Sequence, residues 1–175
     1  GQLTDEPIKA INILYDGTVS KMNLQALNCG AISGIMKATN PDVNMVSAPI
    51  IAKERGIQLS TTQQEKAGVF DGYMKLTVVT DMRERSIAGT VFSDGKPRFI
   101  QIKGINLDAE VGRHMLYTTN ADAPGIIGLL GTLCGKHEVN IANFQLGRTR
   151  PGGDAIALLY LDKPFPEAAL ADIRA

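Results

Sequence analysis

The sequence predicts an α+β fold in two parts, and three observations support this prediction. Strand-like and helical runs alternate irregularly over the first two thirds of the 175 residues, and a βαββα order follows in the last third. The hydrophobic content is 44%, which allows packed cores and argues against a disordered chain. A chain of this length forms one large domain or two small ones.

The first part opens with a strand, two helices and a short strand. Residues 8–15 (IKAINILY) are strand-like, and Asp16-Gly17 marks a turn. Helical spacing over residues 23–37 puts four apolar side chains on one face: Leu24, Leu27, Ala31 and Ile35. A second helix is predicted over residues 48–55, with Gly56 as its stop, and a strand over 57–62.

Three further strands complete the first part. They are predicted at residues 73–80, 85–92 and 98–103, and Asp94-Gly95 between the last two indicates a hairpin turn. Residues 104–112 (GINLDAEVG) have a glycine at each end and a mixed character between, which predicts a connection.

The last third is predicted as a βαββα unit. Its elements in order are residues 113–119, 124–136, 139–148, 154–161 and 166–173, with a turn at Gly152-Gly153. One more strand would complete a ferredoxin-like βαββαβ arrangement, so we expect that strand to be cut away or absent. The start at Gly1 without Met and the end at Ala175 indicate a piece of a longer polypeptide.

Composition limits the classes of partner. Lys+Arg and Asp+Glu are 18 each, and this balance disfavours a nucleic-acid or anionic-membrane binder, which needs a basic face. Without an apolar run of about 18 residues or a basic leader, the chain is predicted to be soluble and cytoplasmic. Cys29 and Cys134 are predicted to be buried free thiols rather than a disulfide or metal ligands.

No catalytic or metal site is predicted. The sequence lacks a G-x-G-x-x-G run with an acidic residue about twenty positions later, which a dinucleotide fold needs. His114 and His137 have no obvious carboxylate partner, and two cysteines are too few for a Cys₄ iron–sulfur cluster. We therefore expect no catalysis, cofactor or metal in this chain alone.

Residues 120–125 (NADAPG) form the most informative segment. They follow a strand and open the apolar helical run that includes Ile126, Ile127, Leu130, Leu133 and Cys134, all predicted as core. Pro124 fits a first helical turn, Gly125 allows close backbone approach, and the helix start offers N–H groups to a carboxylate. Asp122 could receive an ammonium, so the segment predicts a pocket for a small zwitterion.

A plainer reading of the same residues needs no ligand. Asp122 near a helix start is a good N-cap, worth about 1 kcal/mol, and Asn140 could satisfy a turn. Both readings stay open on the residues alone.

The last third resembles an ACT domain, the small amino-acid-sensing βαββαβ module. Two segments about fifteen residues apart carry the resemblance: Asp122-Ala123-Pro124-Gly125 and Val139-Asn140-Ile141. The segments INILYDG, MVSAPIIAKERGI and RSIAGTVFSDGKPRFIQIKGINLDAEVG are similar to the intervening domain of long-form D-3-phosphoglycerate dehydrogenases. The resemblance implies an intervening domain at 1–106, a connection at 107–112 and an ACT domain, without its last strand, at 113–175.

This resemblance implies the regulatory half of a serine-biosynthesis dehydrogenase, whose NAD would bind in a separate catalytic half. L-serine would lie between two ACT domains that associate with one another. Asn120 and Asp122 would hold its ammonium and hydroxyl, backbone N–H groups near Gly125 and Ile126 would face its carboxylate, and Asn140 would reach in from the partner chain. Alternatives are a serine-insensitive assembly domain and the regulatory part of an iron–sulfur L-serine dehydratase.

A second, anionic site is a weaker prediction of the resemblance. Its candidates are basic: Arg98, Lys103, Arg113 and Arg148. Arg98 aligns with a phosphate-binding position of some long-form enzymes, but the next such position is Glu110, whose carboxylate would repel a phosphate. A solvated strand face is the favoured interpretation of these four residues.

Overall fold

The computed structural model describes residues 6–66 and 68–174, and its α+β fold confirms the predicted class. The chain divides into two compact units. The first comprises Gly1–Pro97 and Gln101–Gly104, and the second comprises Arg98–Ile100 and Ile105–Ala175.

The first unit holds two helices and a mixed sheet. Its strands and helices, in chain order, are β1 (Ala10–Gly17), α1 (Leu24–Met36), α2 (Ala48–Glu54), β2 (Gln58–Gln64), β3 (Gly72–Val79), β4 (Glu84–Val91) and β5 (Pro97–Ile102), although Arg98–Ile100 of β5 are assigned to the second unit. The strand order is β2-β1-β3-β4, with β5 following β4 in the same sheet. β1 runs parallel to β2 and antiparallel to β3.

β1 is the centre of the first core. Alternate residues Ile11, Ile13 and Tyr15 are buried, as expected where one face of a strand is covered by helices. Ile32, Ile35 and Met36 of α1 pack against them, together with Ala48 and Ala52 of α2. The apolar spacing that predicted α1 therefore identified the face that builds this core.

Asp16, near the end of β1, is a buried carboxylate held by several hydrogen bonds. Its Oδ1 accepts from Lys66 N (2.9 Å) and its Oδ2 accepts from Gln64 Nε2 (2.7 Å). These bonds, the Lys66 N–H first, hold the pKa of Asp16 below its usual range against the opposing effect of burial, and a bond with Tyr73 acts in the same direction.

Several predicted boundaries are confirmed. Asn23 caps α1 by accepting from Ala26 N (3.3 Å), and Gly56 follows α2 with a φ of 71°, the left-handed region that glycine favours. The hairpin between β4 and β5 turns at Gly95, where Gly95 N donates to Phe92 O and φ is 77°.

The second unit contains β6 (Ile105–Glu110), β7 (Met115–Ala121), α3 (Ile126–Lys136), β8 (Ile141–Arg148), β9 (Asp154–Leu161) and α4 (Leu170–Arg174). β7, β8 and β9 form an antiparallel sheet in the order β7-β9-β8. β9 is almost wholly apolar, and its residues Ala157, Leu159 and Leu161 form a core with Leu130 and Cys134 of α3.

The expectation that residues 104–112 form only a connection is wrong, because Ile105–Glu110 form the strand β6. Ile105 and Ala109 are buried and alternate with the exposed Asn106 and Glu110, which is the two-residue period of a strand with one covered face. The terminal glycines obscured this period in the sequence.

Two predictions of burial and one of secondary structure need correction. Ile127 is 57% exposed although Leu130, Leu133 and Cys134 on the same helix are buried, because it lies on the face of α3 turned away from the sheet. Cys29 is a free thiol but only half-buried, whereas Cys134 is free and buried. The last predicted helix is a short 3₁₀ turn, Glu167–Ala169, that continues into α4.

Within residues 6–66 and 68–174, the helices are all too short or too polar to cross a lipid bilayer.

Two glycines of the second unit give a matched test of the packing. A Cβ on Gly147 of β8 would lie 2.8 Å from both Asn106 O and Ile105 Cγ2, whereas a Cβ on Gly131 of α3 would meet nothing within 4 Å. We expect Gly147→Ala to lower the free energy of unfolding by about 1–3 kcal/mol through overpacking. Gly131→Ala should raise it by about 0.5–1 kcal/mol through helix propensity. Urea unfolding measures both, and equal effects of the two variants would contradict the observed packing of β6 on β8.

Candidate functional site

The segment predicted as a binding loop lies between β7 and α3. β7 ends at Ala121, Asp122 follows, and α3 begins at Ile126. Gly125 is the N-cap residue of α3, with a φ of 95° that side-chain-bearing residues rarely adopt. Pro124 therefore precedes the helix instead of occupying its first turn, which corrects the predicted start by two residues.

The start of α3 is open to an anion. Its N-cap is a glycine, which has no side chain to accept from the first-turn N–H groups, and the first turn contains no acidic residue. Such N–H groups donate hydrogen bonds to water or to a ligand, and the helix dipole favours negative charge at this end of the helix. Gly125 is exposed and Ile126 is half-buried, so this end of the helix can be reached from solvent.

Asp122 is not the helix cap, so the predicted N-cap role of this residue is wrong. Its Oδ2 accepts from Arg148 Nη1 at 2.8 Å and from Gly152 N at 3.1 Å. Asp122 N in turn donates to Gly153 O at 2.8 Å. The turn between β8 and β9 is thus tied to the loop by three hydrogen bonds, and Arg148 also forms an ion pair.

These contacts hold the pKa of Asp122 below its usual range. The Gly152 N–H has the largest effect, and the Arg148 guanidinium adds a hydrogen bond and a favourable charge, while partial burial opposes both. Asp122 is therefore an ionised acceptor near neutral pH, which suits it to a cationic group.

The register of β9 explains how Arg148 reaches Asp122. Ala155 pairs with Asn120 on β7 and with Arg148 on β8, so the two residues flank it on one face of the sheet. Two strand spacings separate them, about 10 Å. Ala155 carries only a methyl group, and the long Arg148 side chain crosses over it to the loop. Sequence reasoning placed Arg148 in a different site because this pairing is not local.

Two buried oxygen atoms face the same region. Thr118 Oγ1 and Asn120 Oδ1 are buried without a hydrogen-bond partner among the described residues, while Asn120 Nδ2 donates to Ala121 O at 2.7 Å. They are two residues apart on β7 and share a face with Leu116. Leaving a buried polar atom unpaired costs about 1–3 kcal/mol, and functional sites are one place where such atoms occur.

Asn140 lies at the opposite end of the sheet. It precedes Ile141, which pairs with Leu161, whereas Asn120 pairs with Ala155 six residues earlier on β9. That distance along a strand is about 20 Å. Asn140 Nδ2 donates to Asp162 Oδ2 at 2.8 Å. Within one chain the structure therefore brings Asn120, Asp122, Gly125 and Ile126 together and leaves Asn140 apart.

The four basic residues of the predicted anionic site have different environments. Arg98 forms ion pairs with Asp108 (3.3 Å) and Glu110 (3.4 Å) on β6, so nearby carboxylates offset its charge. Arg148 pairs with Asp122. Lys103 lies in the turn after β5 with a φ of 51°, and Arg113 is exposed before β7. The site stays a prediction, and the carboxylates beside Arg98 weigh against an anion there.

The histidine at the end of α3 has a structural partner. His137 Nε2 lies 3.3 Å from Asp172 Oδ2, and Lys136 Nζ lies 3.0 Å from the same oxygen. Hydrogen bonds from Lys136 and His137 hold the pKa of Asp172 below its usual range. This cluster links the end of α3 to α4. Among the described residues, no group of three or more His, Cys, Asp or Glu side chains is placed to hold a metal ion.

The first unit contains a cleft that sequence reasoning did not identify. It has a volume of about 870 Å³, and its lining residues are uncharged, with Leu59 and Thr61 of the edge strand β2 on one side. Among its lining residues, Asn28 accepts from Tyr15 Oη through Oδ1 (2.9 Å), and its Nδ2 donates to Thr61 Oγ1 (3.0 Å). No local sequence pattern predicts this cleft, because β2 is distant in sequence from β1 and α1.

Comparison with known proteins gives a consistent match. The family model of the D-3-phosphoglycerate dehydrogenase intervening domain matches residues 1–103. A D-3-phosphoglycerate dehydrogenase of Synechocystis sp. is 36% identical over 175 residues, which are 99% of this chain and 32% of that protein. Those of Bacillus subtilis and Methanocaldococcus jannaschii are each 30% identical, over 98% and 99% of this chain and 33% of each relative. The chain spans about a third of the length of the curated relatives it matches.

The Asp122–Arg148 contact can be tested by titration. We expect Arg148→Met to raise the pKa of Asp122 toward its ordinary value, because the charged form loses a hydrogen bond and a neighbouring positive charge. Since the pKa is depressed in the folded state, the stability that Asp122 contributes is present above its unfolded pKa and is lost as pH falls through the folded pKa. Carboxyl-detected NMR measures the shift.

Arg150→Met is the matched control for this titration, because it removes a nearby exposed arginine that does not pair with Asp122 in the described contacts. An equal rise in the Asp122 pKa in both variants would show that general surface charge, rather than the contact, sets that pKa.

Proposed function

The chain belongs to the D-3-phosphoglycerate dehydrogenase intervening-domain family, and we propose that it is a regulatory region of such an enzyme that senses L-serine through an ACT-type second unit. The family match covers the first unit, and the relatives named D-3-phosphoglycerate dehydrogenase align with both units. In the second unit, the strand order β7-β9-β8 with helices after β7 and β9 supports the ACT-type assignment.

The observation that carries the proposal is the placement of an ionised carboxylate beside an open helix start. Asp122 lies three residues before Gly125, the side-chain-free N-cap of α3. An α-amino acid carries an ammonium and a carboxylate on one carbon, so the pair of opposite charges in the loop matches it. The ammonium goes to Asp122 and the carboxylate to the first-turn N–H groups near Ile126.

A hydroxyl-bearing side chain suits this arrangement. Thr118 Oγ1 and Asn120 Oδ1 are buried without a partner among the described residues. A ligand hydroxyl can donate to either oxygen, and it can accept only from the Thr118 hydroxyl. A site that hydrogen-bonds a ligand hydroxyl rejects the analogue without it, because its own polar groups are then unpaired. This supports L-serine over L-alanine as the effector.

The proposed site is completed by a second copy of the chain. Asn140 is about 20 Å along the sheet from Asn120, too far for one amino acid to touch both within one chain. Two copies related by a twofold axis would bring Asn140 of one to the loop of the other, which is the arrangement of a self-complementary interface. Binding then couples effector to assembly.

In this scheme, effector binding is coupled to a catalytic region outside this chain. The coupling free energy between two such sites is typically about 1–3 kcal/mol. NAD and the D-3-phosphoglycerate substrate belong to that catalytic region in the proposal. The role of this chain is to bind, to associate and to favour one state of the enzyme.

We expect isothermal titration of the chain to detect L-serine binding that Asp122→Asn weakens about 10- to 100-fold, the loss typical of a hydrogen bond to a charged group. Asp81→Asn, an exposed carboxylate of the first unit that pairs with Lys9, is the control and should bind as the unaltered chain does. L-alanine should bind more weakly than L-serine.

Sedimentation in parallel distinguishes the alternatives. A dimer that L-serine neither binds nor stabilises would falsify the sensing proposal and favour a serine-insensitive assembly domain. Iron bound by the intact source protein would instead favour an iron–sulfur L-serine dehydratase.

A further inference from the structure

We propose that β2 of the first unit pairs, antiparallel, with β2 of a second copy of this chain about a twofold axis at Thr61. The association in the proposed function runs through the second unit, so this surface is additional to it and does not depend on L-serine. The observation behind it is an open sheet edge. Among the described residues, β2 pairs with β1 on one side, and its other side has no strand beside it.

The outer edge of β2 presents backbone hydrogen-bonding groups at every second residue. Gln58 N donates to Lys9 O at 2.9 Å, so the backbone N–H and C=O of Gln58 point toward β1. The two-residue period of a strand then points those of Leu59, Thr61 and Gln63 outward. β2 (QLSTTQQ) contains no charged residue and no proline, which are features that protect natural edge strands against pairing.

The outward groups of β2 are self-complementary about Thr61. In an antiparallel pair, two facing residues whose backbone groups point toward each other exchange two hydrogen bonds. With Thr61 opposite Thr61 of the second copy, Leu59 lies opposite Gln63 and Gln63 lies opposite Leu59. All three outward residues of each copy are then paired, and every contact occurs twice, as a twofold axis requires.

The cleft of the first unit supplies the apolar part of this surface. Leu59 pairs with the buried Ile11 of β1, so it lies on the helix-covered face of the sheet, where it lines the cleft. A twofold axis perpendicular to the sheet keeps this face on the same side in both copies, so the two clefts adjoin across the new strand pair. Met45, Val46 and Leu59 line the cleft and are 50%, 80% and 42% exposed, which gives this edge apolar area to bury.

The charges that flank β2 are compatible with this pairing. Antiparallel pairing brings the segment before β2 of one copy beside the segment after β2 of the other. The first segment carries Glu54 and Arg55, and the second carries Glu65 and Lys66, all of them exposed. Each of these pairs contains one acid and one base, so opposite charges can meet at both ends of the paired strands.

Cysteine cross-linking of the full 175-residue chain tests the register. Thr61→Cys, in a Cys29→Ala background because Cys29 lines the same cleft, should form a disulfide-linked dimer under mild oxidation. Facing residues of a hydrogen-bonded antiparallel pair have Cα atoms about 5.5 Å apart, which is within disulfide range. Gln58→Cys in the same background is the matched control, because the two copies of that exposed residue would lie about 20 Å apart along the strands.

A like-charge substitution tests the interface without a covalent bond. Thr61→Lys sets two ammonium groups against each other at the axis and should weaken association about 10-fold or more in sedimentation. Gln58→Lys adds the same charge away from the axis and should weaken association much less. Association through the second unit is common to both variants, and circular dichroism establishes that each is folded.

Equal cross-linking of Thr61→Cys and Gln58→Cys, or equal association of folded Thr61→Lys and Gln58→Lys, would overturn this proposal. If Thr61→Lys does not fold, the cross-linking result decides alone. Because neither measurement involves L-serine, the sensing proposal stands or fails separately.

Discussion

β9 lies between β7 and β8, and its register on these two strands determines the geometry of the candidate site. Ala155 faces Asn120 on one side and Arg148 on the other, while Leu161 faces Ile141 at the far end. A one-residue slip would turn the apolar side chains of β9 to the wrong face, so burial of this strand fixes the register strongly. The polar site at one end of the sheet therefore depends on an apolar strand that contributes no polar group to it.

Two aspartates near strand ends differ in solvent exposure. This difference separates a structural carboxylate, Asp16, from a carboxylate of the candidate site, Asp122. Asp16 is 4% exposed and accepts from a backbone N–H and an amide, neither of which carries a charge. Asp122 is also held by a backbone N–H, but its side chain is 29% exposed and its other partner is the exposed, charged side chain of Arg148. Removing one partner from Asp16 leaves a buried carboxylate with fewer hydrogen bonds, whereas water can solvate the partly exposed Asp122 when it loses a partner.

Local patterns predicted most of the elements, and non-local pairing accounts for most of what was missed. The periodicity of residues 24–36 and the Gly152-Gly153 turn gave α1 and the β8–β9 hairpin, because both depend on neighbours in sequence. β6 was missed because glycines border a short alternating run, and Ile127 was misplaced because α3 buries only one face. The loop was identified from its composition, but the Arg148 contact required the β7-β9-β8 register, which composition does not contain.

The turn that holds Asp122 also limits how such a site can diverge. Gly152 has a left-handed φ, and a Cβ on Gly153 would lie 2.6 Å from Thr149 Oγ1, so neither glycine is readily replaced. Substitutions in this turn are therefore costly, whereas the side chains at positions 118, 120 and 148 can change without altering the glycine geometry. A change of ligand specificity at the candidate site would then need few substitutions and no change of fold.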